Sequence, residues 1–462
     1  MESTLALKDF EPYVPTYDPL VSPGPGNNQD YAPTYWAASA GPAPEHDGPV
    51  DTDIDTDVVV IGSGFTGLAT ALFLAKEHGI KATVLEANRV AWGCTSRNGG
   101  QGQNASGRLS RSQWIQRWGL DIARRLDEEI RTGFGTFADL VATIDCDPQP
   151  GGHLYTAHRA KKVAFLENEC RIMRDIFGYD VRMLDRKTVH AEYVRDEDAH
   201  GALHESIGIC VHPLKLAYGY VRQARALGAE IHPASAVLDW RTEGARHVLR
   251  TPGGVVTARA VAVATGAYTA PGLHASLRDR CFPVLSNSIV TRPLTDQELA
   301  ATNFLTHEAI TDTRTLRFYY RLLPDRRVQI GSRSSITGAD AQAPHHEKLL
   351  IDGLHRKFPS LRGIAIDYSW WGWVDVSHDM MPRIAQPDPT QQVFYALGYG
   401  GNGVSFSAHA GRRMAERVAG VRNPVFDLPI YDSPLPGHPL APFRRLGQSM
   451  LYKWYYLRDE VL

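Results

Sequence analysis

No two cysteines in this sequence are spaced as a metal clamp or a redox pair. There are five, Cys94, Cys146, Cys170, Cys210 and Cys281, an odd number, widely spread and never in a C-x-x-C arrangement. That pattern argues against a disulfide framework and against a zinc site, so no metal is expected, and it suits a reducing, cytoplasmic compartment. Long apolar runs are missing too. No uncharged apolar stretch of about 18 residues occurs, and Met1 to Asp9 lacks a basic segment leading into an apolar one, so neither membrane spanning nor secretion is expected. Nor is there an excess of either charge. A formal net charge of -2 gives no sequence-independent attraction for a phosphate backbone, and nucleic acid is not an expected partner. The 462 residues exceed what one simple core organises, which predicts two domains, interleaved if the chain crosses between them.

What is present begins at Asp57. Residues 1–50 are rich in Pro, Gly, Tyr and Asp and read as an extended arm, expected to lie over the body because Tyr31, Tyr35 and Trp36 are costly to leave wet. Val58 to Ile61 is then a short all-apolar, β-branched run, as in a buried parallel strand. A glycine cluster follows, then a helical stretch from Leu68 to His78 stopped by Gly79, then a second strand, Ala82 to Leu85. Strand, glycine turn, helix and strand make a βαβ unit. Apolar positions at helical spacing mark residues 111–145 and 160–177. Tyr220 to Leu227 and Ala258 to Ala264 add a helix and a strand to the same domain. From residue 281 the pattern alternates, as in Phe318 to Leu322 and Val328 to Gly331, which predicts an inserted, largely antiparallel sheet. Val393 to Leu397 returns to the buried-strand type and precedes a helix over 405–418.

The turn itself is Gly62-Ser63-Gly64-Phe65-Thr66-Gly67. Gly62 permits the tight turn, Gly64 lets the backbone approach a pyrophosphate, and Gly67 lets helix and strand pack closely. Amides at the helix start favour the diphosphate, and Glu86, ahead of Ala87 at the end of the second strand, can accept from an adenosine ribose. An acid there disfavours a 2'-phosphate. FAD rather than NAD is indicated by two further loops: Trp92 to Gln101, polar and rich in small residues, and Gly398-Tyr399-Gly400-Gly401-Asn402-Gly403 ahead of a helix whose N-terminus can stabilise negative charge on a reduced ring. Three glycine-rich turns suit one long cofactor.

Together V-V-V-I-G-x-G-F-T-G, E-A, S-R-N-G-G-Q, A-T-G-A-Y and G-Y-G-G-N-G-V closely resemble the glycine oxidase and D-amino-acid oxidase superfamily of FAD enzymes, most of all its γ-glutamylputrescine oxidoreductase group. The resemblance covers about residues 30–430 and implies an α/β fold, a doubly wound, Rossmann-like FAD domain with an inserted mixed or antiparallel substrate domain. The segments would be 51–150, 201–280 and 381–430 for FAD, 151–200 and 281–380 for substrate, and 431–462 as a tail. Implied FAD contacts, of non-covalent kind, are Gly62, Gly64, Phe65, Thr66, Gly67, Glu86, Ala87, Ser96, Arg97, Asn98, Gly99, Gly100, Gln101, Val237, Thr265, Gly266 and Gly400, Gly401, Asn402, Gly403 and Val404. Cys94 and Cys281 are the nearest thiols for covalent attachment, and Gln101 stands where a histidine would suggest it. Two departures stand out. Ser405 occupies the position of a carboxylate-binding lysine of the sarcosine-oxidase branch, and no lysine lies between Lys215 and Lys348 to serve oxygen, which argues against sarcosine-like binding and rapid oxygen use.

The implied reaction takes a hydride from the carbon next to an amine nitrogen to flavin N5, leaving an imine that is hydrolysed, with oxygen or another acceptor reoxidising the flavin; the substrate would be a small amine or amino acid, a γ-glutamylated amine by likeness. Candidates beside it are Tyr319, Tyr320, Trp371 and Trp373 as walls and Arg292, Arg317, Arg321 and Arg333 as carboxylate forks, each set against an ordinary core or solvated role. His212, His378 and Asp379 are ambiguous, and no acid–base residue is identifiable. Two alternatives stay open, a dehydrogenase feeding a quinone or partner subunit and a non-catalytic FAD-containing assembly factor; oligomeric state is left open as well. The segment Phe443 to Leu462 is expected to pack on the body.

Overall fold

A computed structural model describes residues 10–438 and 440–462. Met1 to Asp9, read above for the missing apolar leader, and Pro439 lie outside the described residues.

Two eight-stranded sheets divide the chain. The first is built on Ile54–Ile61, whose apolar half carries Val59 and Val60 fully buried. It pairs in parallel with Ala82–Leu85 on one side and Val255–Val263 on the other, with Val60 opposite both Val84 and Ala262. Glu230–His232 extends the sheet in parallel beyond Ala82–Leu85, and Val393–Leu397 adds in parallel to the end of Val255–Val263. Helices Phe65–His78, Pro213–Ala226 and Phe406–Val418 pack together over it. Continuous apolar strands are what a parallel sheet covered on its faces requires. Gly79, left-handed at φ 67°, ends the first helix, as its sequence position predicts.

The second sheet runs Ile366–Ser377, Cys281–Thr291, Val328–Ser332, Tyr319–Leu322, Ala309–Asp312, His153–Thr156, Gly201–Glu205, Val181–Asp185. Every pairing is antiparallel except Ala309–Asp312 with His153–Thr156. Gly201–Glu205 corrects the boundary drawn at residue 201: its strand pairs with His153–Thr156 and Val181–Asp185, so the chain leaves this sheet only after Glu205. Glycines at Gly201 and Gly208 bracket that excursion and masked it in the sequence.

The arm is fixed to the body. Tyr17, Tyr35 and Trp36 are buried, which stabilises by roughly 1.5–3 kcal/mol per fully buried aromatic. Its polar groups are answered as well: Trp36 Nε1 donates to the Asn98 carbonyl at 2.8 Å and Trp92 Nε1 to the Asp30 carbonyl at 2.7 Å. At the other end, helix Arg444–Tyr456 lies against the body through polar ties such as Arg444 to Asp279 and Arg445 to Asp18. The segment thus lies on the body, although its apolar stripe, Leu446, Met450 and Trp454, faces outward. No helix of the described residues is long and apolar enough to cross a membrane.

Candidate active site

The sharp turn after the first strand is held open by glycine. Gly62 has φ 101°, and a Cβ there would lie 2.8 Å from the Ala264 carbonyl oxygen; at Gly67 a Cβ would lie 1.9 Å from the Gly62 carbonyl oxygen. Gly64, the residue before helix Phe65–His78, offers no side-chain cap; the Phe65 amide donates to Thr95 Oγ1 at 3.2 Å, and Gly64, Phe65 and Thr66 all border a cavity. Beside the turn, Glu86 accepts from Ser63 N at 2.9 Å and Ser63 Oγ at 2.8 Å; burial pushes its carboxyl up, and the Ser63 and Asn88 hydrogen bonds oppose that shift.

The cavity is about 570 Å³ and runs from this turn to the second sheet. That volume is in the range of small-molecule sites. Its walls include Gly62, Gly64, Phe65, Thr66, Glu86 and Ala87 at one end, with Val237, Thr265 and Gly266 beside them. Further along come Arg97, Asn98, Gly99 and Gln101, then Gly401, Asn402, Gly403 and Val404. The three glycine-rich loops, the first and last more than 300 residues apart, therefore meet on one space. Gly67, Ser96, Gly100 and Gly400 do not line it. They shape it from behind: a Cβ on Gly100 would lie 2.2 Å from the Val211 carbonyl oxygen, and Ser96 Oγ donates to the Trp92 carbonyl at 2.8 Å. Helix Phe406–Val418 begins with no side-chain cap at Ser405, and the residues before it, Gly403 and Val404, border the cavity. A long ligand with phosphates at one end and a ring at the other fits this donor set.

The far end is closed by the second sheet. Tyr319 stands there with its hydroxyl 2.9 Å from both Ser286 Oγ and Ser288 Oγ, and a Cβ on Gly99 would touch its ring at 3.2 Å. Arg317 and Arg333 line the same end, joined by Arg108, which the sequence reading did not single out. Also missed was Asp375. Its backbone carbonyl accepts from Gly400 N at 2.7 Å and its carboxylate from Gly398 N at 2.5 Å, so it sets the shape of the last glycine loop. Burial pushes this carboxyl up to about 6, the Gly398 amide opposing the shift. Only a glycine loop needing a nearby acceptor could have pointed to it.

The other sequence candidates lie elsewhere. Trp371 and Trp373 are corrections: their indoles donate to the Pro15 and Tyr17 carbonyls at 3.1 and 3.0 Å, on the sheet face that the arm covers, while Gly372 and Val374 face the cavity. Arg321 is a correction too. It is buried, donates to the Val211 carbonyl at 2.8 Å and lies over the Trp36 ring, outside the cavity. Tyr320 points the other way, donating to Asp196, and Arg292 is paired with Glu298 at 2.7 Å on the surface. His212 caps helix Pro213–Ala226 through Lys215 N, the structural role weighed for it. Cys94 borders the cavity with its thiol pushed up to about 11 by burial, and Cys281 is pushed up as well. Away from the cavity, Asp340, His345 and His346 bring possible ligand atoms within 4.8 Å of one another, but both ring nitrogens of His346 already meet Ser334 and Asp340.

A parallel sheet with a glycine turn at its strand end, opened toward a second antiparallel sheet, defines a dinucleotide-cofactor oxidoreductase fold. The chain belongs to the FAD dependent oxidoreductase family, whose model matches residues 57–417, and FAD is its cofactor. It is 33% identical over 443 residues to γ-glutamylputrescine oxidoreductase of Escherichia coli K12, covering 94% of this chain and 99% of that one. A glycine oxidase of Bacillus licheniformis is 24% identical, with 80% of this chain and 94% of the relative covered. Among solved structures, glycine oxidase from Geobacillus kaustophilus superposes with a TM-score of 0.70 at 22% identity, covering 83% of this chain and all of the other. The protein is thus an FAD-dependent oxidoreductase of a family that acts on amines and amino acids.

Proposed function

We propose that the chain oxidises an amino-acid-like amine at the carbon next to nitrogen, giving an imine that water hydrolyses to a carbonyl compound and a released amine or ammonia. One observation carries this reading: a single cavity leads from the phosphate-type turn to a closed end walled by Tyr319 and the last glycine loop, large enough for a cofactor ring and a small substrate together. Bound FAD supplies the two-electron acceptor.

The chain's own part is placement. The amides at Gly64 and Thr66 would take the diphosphate, Glu86 the ribose, and Val237 the adenine side. Asn98, Gly99, Gln101 and the Gly401 to Val404 loop would border the ring, with Arg97 held over the Trp92 ring at 4.2 Å. Attachment would be non-covalent, since a thiol held neutral at Cys94 is a poor nucleophile. Tyr319 excludes water and fixes the substrate's orientation against the ring, which is what a hydride transfer needs when the amine binds neutral.

A γ-glutamylated amine is a second, finer reading, favoured by the Escherichia coli relative and the nearly full length over which it matches. The acceptor would be oxygen or, given that no lysine lines the cavity among the described residues, a quinone or partner protein. Anaerobic addition of amino acids, γ-glutamyl amines and polyamines to the purified yellow protein tests the reading. Bleaching of the flavin band by at least one class is expected, and peroxide formation on readmitting air separates oxidase from dehydrogenase. A protein that stays colourless with added FAD, or a flavin that none of these amines bleaches, overturns it.

A further inference from the structure

We propose that Arg108, Arg317 and Arg333 form a receiving site for two carboxylates, so that the preferred substrate is an amino dicarboxylic acid carrying net negative charge. The proposal rests on the amine-oxidation reading above and names the substrate class of that same cavity.

The three arginines come from three places in the chain. Arg108 follows Gln101–Gln103, Arg317 precedes Tyr319–Leu322, and Arg333 follows Val328–Ser332. All three line the closed end of the cavity. None makes an ion pair among the described residues. Arg108 Nη1 and Arg333 Nη2 instead donate to one and the same acceptor, the Gly400 carbonyl oxygen, at 3.2 and 3.1 Å. Arg317 lies 5.5 Å over the Tyr155 ring, and its Nε is buried without a partner.

Several buried arginines elsewhere are paired with carboxylates, although Arg321 is held by the Val211 carbonyl and the Trp36 ring instead. Arg314, three residues before Arg317, meets Asp198, Asp312 and Glu460; Arg111 meets Asp127 at 2.6 Å; Arg413 meets Glu129 at 2.7 Å. Three guanidiniums without a carboxylate partner among the described residues thus gather at one end of the cavity. Their like charge is felt within the cluster: the Arg333 guanidinium, then burial, then Arg317 hold Arg108 well below the usual arginine range. Two carboxylates line the cavity, and neither serves here. Glu86 is engaged at the first turn, and Asp375 is tied to the Gly398 amide. The three guanidiniums are half-buried and face like charge with no carboxylate between them, so an incoming anion relieves their mutual repulsion.

Charge counting then chooses among substrates. One carboxylate bound by a guanidinium fork leaves two positive charges facing each other; two carboxylates leave one. A γ-glutamylated diamine carries one carboxylate and two ammonium groups and would add positive charge to this end, so the dicarboxylate replaces the γ-glutamylated amine as the finer reading of this cavity. Tyr452, from the carboxy-terminal helix, is near enough that Arg333 and Arg108 oppose the upward push of burial on its phenol.

The test uses the FAD-loaded protein in two arms. In the first, malonate, succinate, glutarate and acetate are titrated while the flavin absorption band is followed. The best dicarboxylate is expected to bind at least about tenfold more tightly than acetate, and more weakly as salt is added. In Arg333→Gln that preference should collapse to within about threefold, and Arg333→Lys, which keeps the charge and loses the fork, should fall between. In the second arm, iminodiacetate, sarcosine and γ-glutamylputrescine are compared as anaerobic reductants, with iminodiacetate expected to reduce the flavin at the lowest concentration. Equal binding of acetate and every dicarboxylate, or tightest use of the cationic conjugate, overturns the proposal. A dicarboxylate preference with no amine bleaching the flavin would sink the oxidation reading and leave this site standing. Bleaching by amines with no preference for the second carboxylate would do the reverse.

Discussion

Arg445 and Asp18 share an ion pair of 2.6 Å that joins the two ends of the chain. Asp18 also accepts from Leu20 N at 3.0 Å and Gly338 N at 3.3 Å, while Arg445 lies 4.9 Å over the Trp373 ring and donates to the Ile336 carbonyl. One carboxylate thus fastens arm, carboxy-terminal helix and substrate sheet at a single point. Asp18→Asn keeps the size and removes the charge. It should cost about 1–3 kcal/mol, the price of leaving a largely buried guanidinium with a weaker partner. Chemical denaturation measures the loss, and limited proteolysis should cut first in the arm and in the segment after Leu440. Unchanged stability with unchanged cleavage would show that the ends are held by other contacts.

This fastening also explains what the sequence could and could not reveal. The first βαβ unit was legible because its strands are apolar throughout and its glycines fall at the spacing a turn demands. Ile366–Ser377 was not. Trp371 and Trp373 share one face and Gly372 and Val374 the other, and with period two a one-residue difference exchanges wall for exterior. Apolarity normally tells the faces apart, yet here the arm buries the outer one, so tryptophan is at home on the side away from the cavity. Arg321 misled for a related reason: it is on the strand of Tyr319 but two residues further along, past the end of the cavity. Arg108 and Asp375 carry no local pattern, since each gains its place from loops that meet only after folding.

The two inner glycines of the first turn should fail in different ways. At Gly67 a Cβ would meet backbone, the Gly62 carbonyl oxygen at 1.9 Å, and the helix must move off the strand. At Gly64 it would meet only Thr95 Oγ1, at 3.2 Å, but it would occupy the approach to the helix amides. Gly67→Ala is expected to lower the stability of the FAD-free protein by about 1–3 kcal/mol or more. Gly64→Ala should leave that stability near the parent's while weakening FAD binding by about tenfold or more. Denaturation curves and flavin-to-protein ratios read the two effects separately, and identical behaviour of the variants would contradict the division.

Asp375 makes the fold sensitive to pH in a stated direction. Burial raises its carboxyl from 3.8 to about 6, so the folded state prefers it protonated. The stability this group contributes is fully present below the unfolded value and is lost as pH rises through about 6. Two units correspond to about 3 kcal/mol at most. Asp375→Asn keeps an acceptor for the Gly398 amide and removes the titration. Relative to the parent, the variant should therefore gain about 1.4 kcal/mol of stability between pH 5 and pH 8, the other half of the loss being complete by pH 5. Denaturant midpoints at the two pH values measure the gain; a gap between variant and parent that does not change with pH would show that Asp375 does not titrate in this window.

Tyr319 offers the sharpest test of how the closed end works. Its hydroxyl is satisfied by Ser286 and Ser288, both at 2.9 Å, and its ring touches the Gly99 backbone and the space above Gly331. Burial pushes its phenol up, so it stays neutral and cannot act as a base near neutral pH. If the residue serves as a wall, the ring matters and the hydroxyl does not. Tyr319→Phe should keep the anaerobic rate of flavin reduction within about threefold of the parent, whereas Tyr319→Ala, which opens the pocket to water, should lose about tenfold or more. A rate for the phenylalanine variant as low as that of the alanine variant would instead assign the hydroxyl a direct part in handling the substrate.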